Sequence, residues 1–149
     1  MPDADSHPRV AIQSRVLKVL LVEDDASAAE LMEDVFAPHT DSVQLDIIPN
    51  ADQLFTLLQT PGSSLPDAVL LNLHLEGRPA LEVLADLKRD PVLRRLPVVV
   101  LSGTDDPTEV ARAYQGHASA VLVKSSGMDV LQARINAFVD FWRYSRLPG

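Results

Sequence analysis

Five short apolar runs, each followed by a stretch in which apolar residues recur at helical spacing, leave this chain few folds to adopt. The runs are Leu17 to Val22, Val43 to Ile47, Ala68 to Leu71, Val98 to Leu101 and Ala120 to Val123. After the first, Ala28, Leu31, Met32, Val35 and Phe36 mark a helical face that Pro38 is expected to end. Ala51, Leu54, Phe55 and Leu58 mark a second, closed by Pro61-Gly62, and Ala80, Val83, Leu84 and Leu87 a third. Val110, Ala113 and Tyr114 form a short fourth face after Pro107, and Leu131, Ile135, Phe138, Val139 and Trp142 line the longest helix. Strands alternating with helices predict an α/β fold, a doubly wound parallel sheet of five strands covered on both faces. The second run alternates Val43, Leu45 and Ile47 with Gln44 and Asp46, as a half-buried edge strand does. Right-handed crossovers leave few topologies, of which the order 2-1-3-4-5 is favoured.

A chain of 149 residues reads as one domain, placed here at 16–144, with a polar flexible arm over 1–15 and a short tail over 145–149. The net charge of -8 and a pI of about 4.8 argue against a nucleic-acid groove. With no cysteine, neither a disulfide framework nor a thiolate metal site can form. The start, Met1-Pro2-Asp3-Ala4-Asp5, carries acids where a secretory leader needs bases. No run approaches the roughly 18 apolar residues of a membrane span. A cytoplasmic protein that touches neither membrane nor nucleic acid is the expectation.

In an open parallel sheet, ligands bind beyond the carboxyl ends of the strands, where strand order reverses. Four of the runs end in polar residues: Glu23-Asp24 after the first, Asn72 after the third, Ser102 after the fourth and Lys124 after the fifth. Singly, each has an ordinary use. Acids suit a helix N-terminus, a serine caps helices, an edge lysine is solvated, and His74 has no second histidine at metal-binding spacing. Gathered on one rim, they suit phosphoryl transfer. Carboxylates hold magnesium through oxygen, a lysine neutralises the moving phosphoryl group and a hydroxyl bonds one of its oxygens.

Those residues, with the stretches Val19-Leu20-Leu21-Val22-Glu23-Asp24-Asp25, Leu96-Pro97-Val98-Val99-Val100-Leu101-Ser102 and Val121-Leu122-Val123-Lys124, resemble the receiver domain of two-component response regulators. The resemblance covers about Arg15 to Pro148 and implies the flavodoxin-like (βα)5 receiver fold, again in the order 2-1-3-4-5. It gives Asn72 the place of the aspartate that accepts a phosphoryl group, and Glu23, Asp24 and the His74 carbonyl the places of magnesium ligands. Ser102 and Lys124 take the places of phosphoryl contacts, and Ser102 and Val121 those of the switch pair. Phe141-Trp142 with Leu147-Pro148 is similar to the single-domain subgroup that partners bacterial phytochrome histidine kinases, regulators without an output domain that pair through their C-terminal region. On the last helix, Phe138, Trp142 and Tyr144 are expected to exceed what one sheet face can cover; with Phe141 they are candidate interface residues, and a homodimer is expected.

The chain departs from the family pattern at Asn72. Glu76 also stands where a proline is common, Ala80 where a glycine is usual, Val121 where the switch aromatic sits and Ser125 where many relatives have a proline. A carboxylate attacks phosphorus to give an acyl phosphate, whereas a carboxamide is a very poor nucleophile. The expected protein is therefore not an enzyme. It is a phosphorylation-independent module that meets a histidine kinase, or a like subunit, through its first and last helices, with magnesium binding weakened. Two alternatives stay open: a working receiver into which an Asp-to-Asn change has been introduced, and a haloacid-dehalogenase-type phosphatase. The second lacks its Asp-x-Asp pair, since Glu23-Asp24-Asp25-Ala26 offers none.

Overall fold

A computed structural model describes residues 16–124 and 127–143. The expected arm over 1–15, Ser125, Tyr144 and the tail over 145–149 lie outside the described residues. Five parallel strands, β1 (Leu17–Val22), β2 (Val43–Ile48), β3 (Ala68–Asn72), β4 (Val98–Ser102) and β5 (Ala120–Val123), alternate with five helices. The helices are α1 (Ala26–Phe36), α2 (Ala51–Gln59), α3 (Ala80–Arg89), α4 (Pro107–Gln115) and α5 (Met128–Arg143). The strand order is β2-β1-β3-β4-β5, as expected. Every residue of β3 and β4 is buried, whereas β2 on one edge alternates between buried and accessible positions.

Side-chain alternation along each strand divides the core in two. Leu20, Val22, Val69, Leu71, Val98 and Val100 meet α2, α3 and α4 on one face. Leu17, Val19, Leu21, Leu70, Val99 and Leu101 meet α1 and α5 on the other. A slip of one residue in any central strand would exchange these faces, so register is strongly specified. Val19 pairs with Ala68, Val69 with Val98 and Val99 with Ala120. That register carries the last residues of β1, β3 and β4 to one rim.

Local chemistry sets the helix starts. Asp25 caps α1 by accepting from the Ala28 N–H at 2.8 Å, Asn50 caps α2 through the Gln53 N–H at 2.9 Å, and Asp106 caps α4 through the Thr108 N–H at 2.9 Å, with Pro107 in the first turn. The first helix ends at Phe36, two residues before Pro38 as expected, and Pro38 lies in the short 3-10 turn Ala37–His39 that follows. A proline is tolerated there because the first turn of a helix leaves its N–H groups unbonded. On α4 only Ala113 is buried, and Tyr114 is half exposed, reaching out to the β5 edge instead of into the core.

Candidate functional site

Glu23 follows the last residue of β1 and still belongs to the ladder, because its N–H donates to the Ile48 carbonyl at 3.0 Å. This extended backbone turns the Glu23 side chain inward, and the residue is only 3% exposed. Asn72 ends β3 opposite Leu101, and the next amide, of Leu73, bonds the Leu101 carbonyl at 2.8 Å. Asn72 is buried as well, and Ser102 at the end of β4 is fully so. Lys124 follows β5 with its ammonium reaching back over the sheet. Three strand ends thus bring Glu23, Asn72 and Lys124 together.

The contacts among them are specific. Asn72 Nδ2 donates to Glu23 Oε2 at 2.6 Å. Lys124 Nζ lies 3.5 Å from Glu23 Oε1, an oxygen that is buried and accepts no hydrogen bond. Asn72 Oδ1 accepts from the His74 N–H at 3.3 Å. The amide orientation follows from chemistry: a carboxylate only accepts, so the NH2 end must face Glu23 and the carbonyl end must face the backbone N–H. Asp24 is exposed, and its Oδ2 accepts from the Glu76 N–H at 2.7 Å, tying the loop after β1 to the loop after β3. Asp25, the third acid of the run, is the α1 cap.

Ser102 stands on the same rim with its hydroxyl already satisfied, donating to the Thr104 carbonyl at 2.6 Å and accepting from the Thr104 N–H at 3.1 Å. The His74 side chain is 56% exposed, with Nε2 3.8 Å from Glu109 Oε2 on α4. The loop after β3 bounds an open hollow of about 380 Å³ lined by Leu73, His74, Leu75, Gly77, Arg78 and Pro79, beside the Glu23–Asn72 pair and not over it. Gly77 turns this loop with φ +83°, a conformation that suits glycine.

Ions of the magnesium type take oxygen donors, usually one or two carboxylates with water and other oxygens. At Glu23 the surroundings supply the opposite: an amide N–H2 and an ammonium, both hydrogen-bond donors, while Asp24 Oδ2 accepts from the Glu76 N–H. Among the described residues no group of three or more His, Asp or Glu side chains is arranged to hold a metal ion. The residues as arranged do not fit a divalent cation.

The interface candidates separate. Trp142 is only 5% exposed and packs into the core between α5 and the sheet, its ring centroid 4.9 Å from that of half-buried Phe138. The expectation that Trp142 exceeds what one sheet face can cover is therefore corrected: the chain covers it itself. Phe141 is 65% exposed. Val121 is half-buried, and its N–H donates to the Tyr114 hydroxyl at 3.3 Å, so an aromatic side chain from α4 sits at the edge of β5.

The model of the response regulator receiver domain matches residues 19–136. The chain belongs to the response regulator receiver family. As a receiver of two-component signalling it is 31% identical, over 146 residues, to the response regulator Rcp1 of Synechocystis sp., with 95% of this chain and 94% of Rcp1 covered. The structure of the phosphorylated cyanobacterial phytochrome response regulator RcpA superposes with a TM-score of 0.79 at 29% identity, covering 90% of this receiver and 99% of RcpA. The Mn(2+)-bound form of Rcp1 superposes with a TM-score of 0.77 at 31% identity, covering 89% and 99%. No helix among the described residues is long and apolar enough to cross a membrane.

Two contacts at this receiver's rim escaped sequence reasoning. The Glu76 N–H that holds Asp24 had a signal, a glutamate where the family often has a proline, which has no N–H to give. The facing of His74 and Glu109 had none, because it joins the loop after β3 to the first turn of α4.

Proposed function

We propose that this receiver acts as a phosphorylation-independent interaction module, forming no acyl phosphate at residue 72. The observation that carries this reading is the 2.6 Å bond from Asn72 Nδ2 to Glu23 Oε2. The side chain at the tip of β3 is a carboxamide whose nitrogen lone pair is delocalised and whose N–H2 is committed to a buried carboxylate. Neither amide atom is a competent nucleophile towards phosphorus. Ser102 supports the reading, since its hydroxyl is spent on Thr104. Val121 does so too, because a half-buried valine cannot swing as an aromatic ring would.

The partner class follows from the relatives. Proteins similar to this chain are named as phytochrome response regulators, so a histidine kinase, of the bacterial phytochrome kind, is the proposed partner. Magnesium binding is weakened by the amide at 72. The protein is not an enzyme, and it pairs with a second copy through α5, where Phe141 stands exposed. Light scattering of the purified chain, before and after a small phosphoryl donor with magnesium, tests this. The expected result is a dimer whose mass and elution do not respond to the donor; a donor-driven change in assembly would overturn the reading.

A further inference from the structure

We infer that Asn72 and Lys124 together stand in for a divalent cation at Glu23, so that the receiver rim is neutralised and held closed by the chain itself. This rests on reading the rim as the receiver site, and it concerns how that site is regulated. Glu23 is the one carboxylate buried at the strand ends, its side chain 0% exposed. One ammonium, that of Lys124 at 3.5 Å, balances one carboxylate. The remaining oxygen receives the Asn72 N–H2 at 2.6 Å and, more weakly, the Asp25 N–H at 3.4 Å. A buried charge requires a partner and hydrogen bonds; without an ion, the Lys124 ammonium faces Oε1, which accepts no hydrogen bond, and the hydrogen bonds fall on Oε2.

The second acid is withdrawn in a matching way. Asp24 Oδ2 is bonded by the Glu76 N–H at 2.7 Å. The donor is a backbone N–H, which any residue but proline would supply, so it exists because position 76 is not a proline. Asn72 and Glu76 are two departures four residues apart, and each places a donor on one of the two acids that would otherwise face a cation. They also close the loop after β1 onto the loop after β3. The loops that would flank an ion are thus tied to each other by the chain's own bonds.

Magnesium titration of the wild-type chain, Asn72→Asp and Asn72→Asp with Glu76→Pro tests this, read by calorimetry and by amide NMR shifts up to about 10 mM magnesium. The wild type is expected to give no saturable heat and no shift at Asp24 or His74. Asn72→Asp is expected to bind saturably, and adding Glu76→Pro to tighten binding several-fold. Wild-type binding as strong as that of Asn72→Asp would overturn the inference, as would an Asn72→Asp chain that folds and ignores magnesium. If the variants fail to fold, the wild type still decides. Its Asn72 Nδ2 protons are expected to exchange slowly and to lose that protection in Glu23→Gln, whereas fast-exchanging Nδ2 protons in the wild type would contradict the bond. Failure of the proposed function would show instead as donor-dependent assembly or modification, whether or not magnesium binds.

Discussion

Asn72 and Glu23, 49 residues apart, meet across 2.6 Å at the tips of neighbouring strands, amide nitrogen to carboxylate oxygen. The pairing of β1 with β3 brings them there, and the burial of both makes the bond matter. Inside a protein a charge-assisted hydrogen bond is roughly twice as strong as a neutral one, and removing one partner leaves a buried acceptor at a cost of about 1–3 kcal/mol.

Asn72→Asp is expected to lower the melting temperature in chelator and to regain stability with magnesium. Two carboxylates about 4 Å apart at an effective dielectric near 20 repel by roughly 4 kcal/mol before relaxation and screening, and Lys124 offsets only part of that. Thermal unfolding in chelator and in magnesium measures it. An aspartate variant as stable as wild type in chelator would count against a strained acid pair.

On α5, Trp142→Ala is expected to cost about 3–5 kcal/mol, in line with emptying a large buried aromatic site. The ring is in the core and stacked near Phe138. Phe141→Ala is expected to leave stability within about 0.5 kcal/mol of wild type and to weaken self-association. Urea unfolding and light scattering on the two variants separate packing from pairing.

Between α1 and α5, Asn136 Oδ1 meets His39 Nε2 at 2.6 Å and accepts from Gln132 Nε2 at 2.9 Å, while Gln132 Nε2 also donates to the Val35 carbonyl at 2.8 Å. Asn136→Ala removes the shared acceptor and is expected to destabilise by about 1–2 kcal/mol. Faster amide exchange in the last turn of α1 would accompany it. No change in either quantity would show that water replaces the acceptor freely.

Asp90 supplies an acid-side dependence. Its carboxylate accepts from the Val92 N–H at 2.8 Å and the Leu93 N–H at 3.0 Å, and the bonds from Leu93 and then Val92 hold its pKa below the usual value of 3.8. A depressed folded pKa gives stability that is present above the unfolded value and lost as pH falls through the folded one. Asp90→Asn should therefore flatten the decline in melting temperature below about pH 4. Parallel curves for variant and wild type would remove Asp90 as a source.

The strands were legible because their apolar runs match burial on two faces, and β2 because its alternation matches an edge. The rim was legible as residue types, Glu23, Asp24, Asn72, Ser102 and Lys124, since each follows an apolar run. How they bond was not. That Asn72 gives its hydrogens to Glu23, that Glu76 claims Asp24 and that Ser102 turns to Thr104 depend on side-chain rotations and loop paths that no periodicity encodes. Trp142 was misread as surplus because its place on the helix does not say how far α1 and the sheet extend to cover it.

Intact mass after incubation with a small phosphoryl donor and magnesium, on the wild type and Asn72→Asp side by side, tests the central claim most directly. The account predicts an unmodified wild type and one phosphoryl group on the aspartate variant. A stoichiometric phosphoryl adduct on the wild-type chain would contradict it.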